Sequence, residues 1–194
     1  MKIKDREQLT AKQEKYRASL NSQRKQILIC AGTGCVAGGS LEIYDRMKEI
    51  IEEKGLKCAL VLEKEPHGDS IGLKKSGCHG FCEMGPLLRI EPMGWLYIKV
   101  GINDCEEIIE KSIIGDEVIE HLVYKDKEGN PYVKQEEIPF YRQQTRIALE
   151  YCGHINAESI AEYLALGGYS AVAKALFDMK PQDIVDEIDR KSVV

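Results

Sequence analysis

Residues 26–40 read QILICAGTGCVAGGS. An apolar run ends on Cys30, four small residues follow, and Cys35 precedes the glycine pair that opens the next element. The run KQILIC (25–30) predicts a strand. The following SLEIYDRMKEIIEEKGL (40–56) predicts a helix, because Ile43, Tyr44, Met47, Ile50 and Ile51 recur at helical spacing. Ser40 is the expected N-cap, Glu42 suits the positive end of the helix dipole, and Gly55 marks the stop. A second strand is expected at KCALVLE (57–63). Strand, helix, strand at this spacing is a βαβ unit, which requires parallel strands. LLRIE (87–91) and WLYIKV (95–100), joined by PMG, predict a hairpin, and residues 103–124 predict one or two short helices. That order is thioredoxin-like: an α/β fold with a four-stranded mixed sheet covered by helices, over residues 26–124.

The flanks differ. Residues 1–25 carry eight Lys or Arg against three Asp or Glu, leaving 19 against 29 elsewhere. This helical arm reads as a solvated terminal helix or as a dock for an acidic protein surface. Residues 125–137 are polar, hold a Gly-Asn-Pro turn and lack apolar periodicity, so a linker is expected. Residues 138–194 are helical in pattern. FYRQQTRIALEYCG (140–153) predicts one helix, NAESIAEYLALGG (156–168) a second with Asn156 as cap and Gly167 as stop, and YSAVAKALFDM (169–179) a third. PQDIVDEIDRK (181–191) opens a fourth with Pro181 at a permitted first-turn position. Four short helices are a thin basis for a separate core, so this segment reads as the start of a larger domain.

Composition narrows the function classes. With 27 basic against 32 acidic residues in 194, nucleic acid is not the expected partner. No apolar run exceeds five residues, far from the roughly 20 a bilayer requires, so no membrane span is expected. The N-terminus has no apolar core of a secretory signal, and a cytoplasmic location is expected. Seven cysteines, an odd number in an unsecreted chain, argue for metal or redox chemistry over a disulfide framework.

Four of the seven form two pairs. Cys30 and Cys35 are spaced C-x4-C; Cys78 and Cys82, in SGCHGFCEMGP (76–86), are spaced C-x3-C. Both pairs sit in glycine-rich loops that the proposed topology places at one end of the sheet. Four thiolates from two loops can hold a [2Fe–2S] cluster, one pair on each iron. Such a cluster is anionic and needs nearby donors. Gly32, Gly34 and Gly80 let backbone N–H groups approach without a Cβ in the way. Structural zinc would also accept four cysteines, although C-x3-C is only partly a knuckle spacing. A thiol-disulfide oxidoreductase would want C-x-x-C, which is missing, and the plant-type pattern C-x4-C-x2-C lacks its third cysteine at Ala37–Gly38. A structural or interaction module that binds zinc, or no metal, is the alternative function. Cys58, Cys105 and Cys152 are expected in the core, Cys58 on a central buried strand. His79 is expected as a loop side chain beside the site. Pro86, just before a strand, stands where folds of this order often carry a cis peptide.

The segments LICAGTGCVAGG and SGCHGFCEMGPLLRIEP resemble the two ligand loops of the thioredoxin-like [2Fe–2S] ferredoxins. That family includes the 24-kDa-type subunit of respiratory complex I. It also includes the N-terminal domain of the beta subunit of NAD(P)-linked and electron-bifurcating [FeFe]-hydrogenases. Residues 138–190 resemble the stretch leading into an FMN- and NADH-binding subunit of the complex I 51-kDa type, which is the hydrogenase beta-subunit arrangement. The resemblance implies Cys30, Cys35, Cys78 and Cys82 as cluster ligands. The implied partners are a 24-kDa-like subunit and a catalytic alpha subunit within a hydrogenase or NADH dehydrogenase complex. The family's glycine-rich FMN and NAD(P)H loop does not occur before Val194. FMN and NAD(P)H are therefore expected only in a missing C-terminal part, and the 194-residue chain is not expected to oxidise NADH alone.

Overall fold

The computed structural model describes residues 3–22, 25–59 and 70–192. The elements run α1 (Arg6–Asn21), β1 (Lys25–Cys30), α2 (Thr33–Ala37), α3 (Ser40–Glu53), β2 (Cys58–Ala59), β3 (Ile71–Ser76), β4 (Leu88–Glu91) and β5 (Trp95–Tyr97). They continue with α4 (Cys105–Glu107), extended by wider π turns over Ile108–Ile114, then the two-residue strands β6 (Tyr124–Lys125) and β7 (Pro131–Tyr132). The last helices are α5 (Pro139–Arg142), α6 (Ile160–Ala165), α7 (Ser170–Asp178) and α8 (Pro181–Ser192).

The main sheet has the order β2-β3-β1-β4-β5. β1 is central, parallel to β3 and antiparallel to β4, and β4 pairs antiparallel with β5. Those four strands are the expected mixed, thioredoxin-like core, with β2 added at the edge. The strand that completes the βαβ unit is not the one expected at 57–63. Only Cys58 and Ala59 of that run form a strand among the described residues, at the edge of the sheet, and residues 60–63 lie outside the described residues. The parallel partner is IGLKKS (71–76), whose two lysines mask its periodicity. Cys58 is accordingly half-buried at an edge rather than central.

One face of the sheet is apolar. Ile27, Ile29, Leu73, Leu88, Ile90 and Tyr97 pack on Ile43, Met47, Ile50 and Ile51 of α3 and on Ile108 and Ile109 beyond α4. Each such side chain taken fully out of water contributes about 1.5–3 kcal/mol. Cys105 is buried in the same cluster, as expected. α3 begins one residue earlier than its sequence signals: Gly39 (φ 91°) is the N-cap, and Ser40 is the first helical residue, buried, its hydroxyl without a partner among the described residues.

The opposite face is polar and still buried. Lys74 and Arg89 flank Leu28 across the ladder and are almost fully covered. Lys74 Nζ reaches Gln26 Oε1 at 3.0 Å and Glu162 Oε1 of α6 at 3.1 Å, with both charged side chains 3% exposed. A buried charge persists only when paired in this way. α1 lies over α6 and α7, where Leu9 packs with Leu164 and Ala173, and Gln13 donates to Gly168 O (2.9 Å) and Ser170 Oγ (3.0 Å). The basic arm is thus a helix packed along one face, through Leu9 and Gln13, with Lys4, Arg6, Lys15 and Arg17 exposed.

Two further segments differ from expectation. Residues 125–137 are not a plain linker. β6 and β7 form a hairpin around Gly129 (φ 88°), Leu96 N–H donates to Val133 O (2.9 Å), and Gln135 is buried. The helix expected over 140–153 stops at Arg142. The chain beyond it is irregular, with Ile147 and Leu149 exposed and Arg146 turned back toward the cysteine loops. In the second expected helix, α6 is capped by Ser159, which accepts from Glu162 N–H, rather than by Asn156.

Candidate metal centre

The first cysteine loop leaves the end of β1 and closes through the short helix α2; the second leaves the end of β3. Because β1 and β3 are parallel, both loops emerge at the same end of the sheet. Cys30 and Cys35 are buried, whereas Cys78 and Cys82 are exposed. Within each pair the thiols hydrogen-bond to each other, and across pairs Cys35 lies in the fields of Cys82 and Cys78, and Cys82 in that of Cys30. All four converge.

The glycines permit this approach. A β-carbon on Gly32 would lie 3.0 Å from both Cβ and Sγ of Cys78, and one on Gly85 would lie 2.8 Å from Cys35 Sγ. Gly80 has φ 85°, a conformation that favours glycine. Gly34 is less constrained, since its β-carbon would meet Cys82 Sγ at an ordinary 3.7 Å. The Gly85–Pro86 peptide is cis, as its position suggested, and so is Glu91–Pro92 in the hairpin.

Backbone donors surround the sulfurs. The N–H groups of Gly32 and His79 point to Cys30, that of Leu87 to Cys35, and that of Gly80 donates to Cys78 Sγ at 3.3 Å. Cys30 is pushed far above the usual thiol range, first by its hydrogen bond to Cys35 and then by burial. Cys35 is pulled down to about 7 by the same bond. Cys82 is raised, mainly by the field of Cys78. Four thiolates this close repel one another unless cations lie between them, and coordination deprotonates a thiol outright.

Further residues complete the shell. The Tyr141 hydroxyl is buried without a hydrogen-bond partner among the described residues, and the ring lies in the fields of Cys30 and Cys78. It is a spare donor on a side chain that shares a buried cluster with Cys30 and Cys35. Phe81, Leu87, Leu96 and Ile138 close the apolar side. His79 is fully buried rather than a surface loop residue: its Nε2 is 2.8 Å from Ser76 Oγ and its Nδ1 3.3 Å from Gln135 Oε1. Burial lowers its pKa to about 4, so the ring is neutral near pH 7. Cys152, expected in the core, is half-buried and lines an open cavity of about 550 Å³ together with Cys78 and Arg146. Gln135, Tyr141 and Arg146 went unread in the sequence; each lies more than 50 residues from the loop it touches.

No protein-family model matches the chain. A 2Fe-2S ferredoxin of Clostridium pasteurianum is 28% identical over 88 residues, covering 45% of this chain and 76% of that protein. Over those residues the chain is similar to a 2Fe-2S ferredoxin. It is also 44% identical over 52 residues to the NADP-reducing hydrogenase subunit HndC of Solidesulfovibrio fructosivorans, covering 27% of this chain and 10% of that subunit. Among solved structures, the thioredoxin-like [2Fe-2S] ferredoxin of Aquifex aeolicus aligns with 54% of this chain and 99% of its own length, at 26% identity and a TM-score of 0.42. Among the described residues, no group of three or more His, Cys, Asp or Glu side chains closes around a single metal ion. No described helix is long and apolar enough to cross a membrane.

Proposed function

We propose that this chain is a [2Fe–2S] electron-transfer domain of an NAD(P)-linked oxidoreductase complex of the hydrogenase or NADH dehydrogenase type. The observation that carries the reading is the convergence of two thiol pairs from two loops, each pair internally in contact, under a set of backbone N–H donors. Cys30 and Cys35 would hold one iron, Cys78 and Cys82 the other. The cluster supplies one-electron chemistry when bound. The chain's own residues do the rest. The inner pair is anchored in apolar packing by Phe81, Leu87 and Leu96, the amides of Gly32, His79, Gly80 and Leu87 face the sulfurs, and Tyr141 offers a hydroxyl. The outer pair opens to solvent, the side from which a partner can approach.

Within that reading, FMN and NAD(P)H belong to protein beyond these residues. A 24-kDa-like subunit and a catalytic alpha subunit are the partners, and the location is cytoplasmic. The isolated chain should carry no NADH-dependent dye reduction. The deciding experiment is iron and acid-labile sulfide content of anaerobically purified protein, with its visible spectrum. Two of each per chain and a red-brown colour are expected. One zinc per chain in a colourless protein would instead establish the structural or interaction module.

A further inference from the structure

Arg146 lies outside both cysteine loops, in the irregular segment after α5, and its guanidinium returns to the second loop. Nη2 donates to the carbonyl oxygen of His79 at 2.6 Å, and the group sits 5.2 Å over the Tyr141 ring. The next atoms of that peptide matter more. The His79 carbonyl and the Gly80 N–H belong to one peptide unit, and that N–H donates to Cys78 Sγ at 3.3 Å. The order is guanidinium, carbonyl, amide, sulfur. A cation on the carbonyl side draws electron density toward the oxygen and leaves the amide hydrogen more positive, and hydrogen bonds in series strengthen one another in this way. The contact is built into the loop: a β-carbon on Gly80 would lie 2.9 Å from Arg146 Nη2.

We infer that Arg146 is a positioning residue that raises the reduction potential of the proposed cluster, acting on the Cys78 sulfur through the His79–Gly80 peptide. The inference rests on the cluster reading above. Cys78 and Cys82 form the exposed pair, so added electron density on their side is best stabilised by solvent and by a polarised donor. Reduction adds one electron from an external donor and breaks no bond. Arg146 keeps its charge throughout, because guanidinium does not titrate in proteins. A stronger N–H···S bond favours the more negative, reduced sulfur, and donors to cluster sulfurs are a recognised lever on potential.

The test uses anaerobically prepared full chain as wild type, Arg146→Lys, Arg146→Gln and, as a charge control, Arg142→Gln on α5. Each is measured for iron and sulfide content, far-ultraviolet circular dichroism and midpoint potential, titrated with dithionite through mediators. Arg146→Gln should favour the oxidised state on the order of tenfold, about 59 mV more negative for one electron. Arg146→Lys, a point charge without the planar fork, should fall between it and wild type. Arg142→Gln should stay at the wild-type value. A wild-type midpoint in Arg146→Gln with two irons retained overturns the inference, as does an equal shift in Arg142→Gln, which would reduce the effect to summed surface charge. Should Arg146→Gln shed iron with its fold intact, Arg146→Lys carries the measurement, and an unshifted midpoint there overturns the inference. Failure of the cluster reading is separately visible, since wild type would then lack iron and sulfide.

Discussion

Gly32 caps α2 and Gly34 lies in its first turn, and the two look interchangeable in the sequence, yet their surroundings separate them. Gly32 has an ordinary φ of −67°, so its requirement is space alone: a methyl there meets Cys78 Cβ and Sγ at 3.0 Å. Gly32→Ala should therefore lose most of its iron on purification, while Gly34→Ala, with contacts of 3.5 Å and longer, should keep two irons per chain. Equal iron contents would show that the loop yields. His79 makes a second prediction at this scale. Its pKa falls from 6.5 in the unfolded chain to about 4 in the fold, because burial disfavours the cation. A lowered folded pKa means the unfolded state binds the proton more readily. The contribution to stability is complete above pH 6.5 and is lost as pH falls toward 4. Chemical denaturation at pH 5 and pH 7.5 should show a smaller loss in His79→Gln than in wild type; parallel losses would exclude His79 as the source.

At the scale of elements, the sheet is held to its two neighbours by opposite means. α3 docks by burying four apolar side chains, and their helical periodicity makes it legible from the sequence. α6 docks through the Lys74–Glu162 pair, with Glu162 Oε2 also accepting from Asn156 N–H at 3.0 Å. Burial lowers the Lys74 pKa despite its partner, so the pair is costly to keep and costlier to break. Lys74→Met should destabilise the fold by about 3–5 kcal/mol by leaving a buried carboxylate unpaired, and Lys74→Met/Glu162→Leu should recover most of that loss. Denaturant midpoints for the three proteins decide it, and a double variant no more stable than the single would refute the argument. The same pair explains why β3 is hard to recognise in the sequence. In IGLKKS, Lys74 occupies an inward position, and a buried lysine breaks the apolar alternation by which strands are recognised. Its justification sits 88 residues away.

For the molecule as a whole, the cysteine site is not confined to the thioredoxin-like core. Gln135 holds His79, Tyr141 shares a buried cluster with Cys30 and Cys35, Arg146 grips the 78–82 loop, and Phe140 stacks on Phe81 with ring centroids 4.7 Å apart. A chain ending at residue 137 should therefore bind iron but release it faster in air than the 194-residue chain, followed by loss of visible absorbance. Identical decay rates would assign the distal contacts no protective role. α1 would lose its packing partners in that truncation, because Leu9 and Gln13 touch only α6, α7 and the turn between them among the contacts described.

Local signals in the sequence determined the parts whose causes lie within a few residues. The apolar run of β1 leads into a glycine loop that places two thiols, α3 carries helical periodicity, the hairpin turns at PMG, and the second loop spaces Cys78 and Cys82. They sufficed to point to the cysteines of the two loops and to a mixed, thioredoxin-like sheet built on β1, β4 and β5. Tertiary structure alone decided which strand lies beside β1, that Cys58 is at an edge, that 125–137 is a packed hairpin, and that the helix after Pro139 ends at Arg142. In three of these cases the deciding partner is remote in sequence: Glu162 for Lys74, Leu96 for Val133, the His79 carbonyl for Arg146. A charge or polar segment looks solvated until folding brings its partner to it, and burial then makes that distant contact outweigh every local preference.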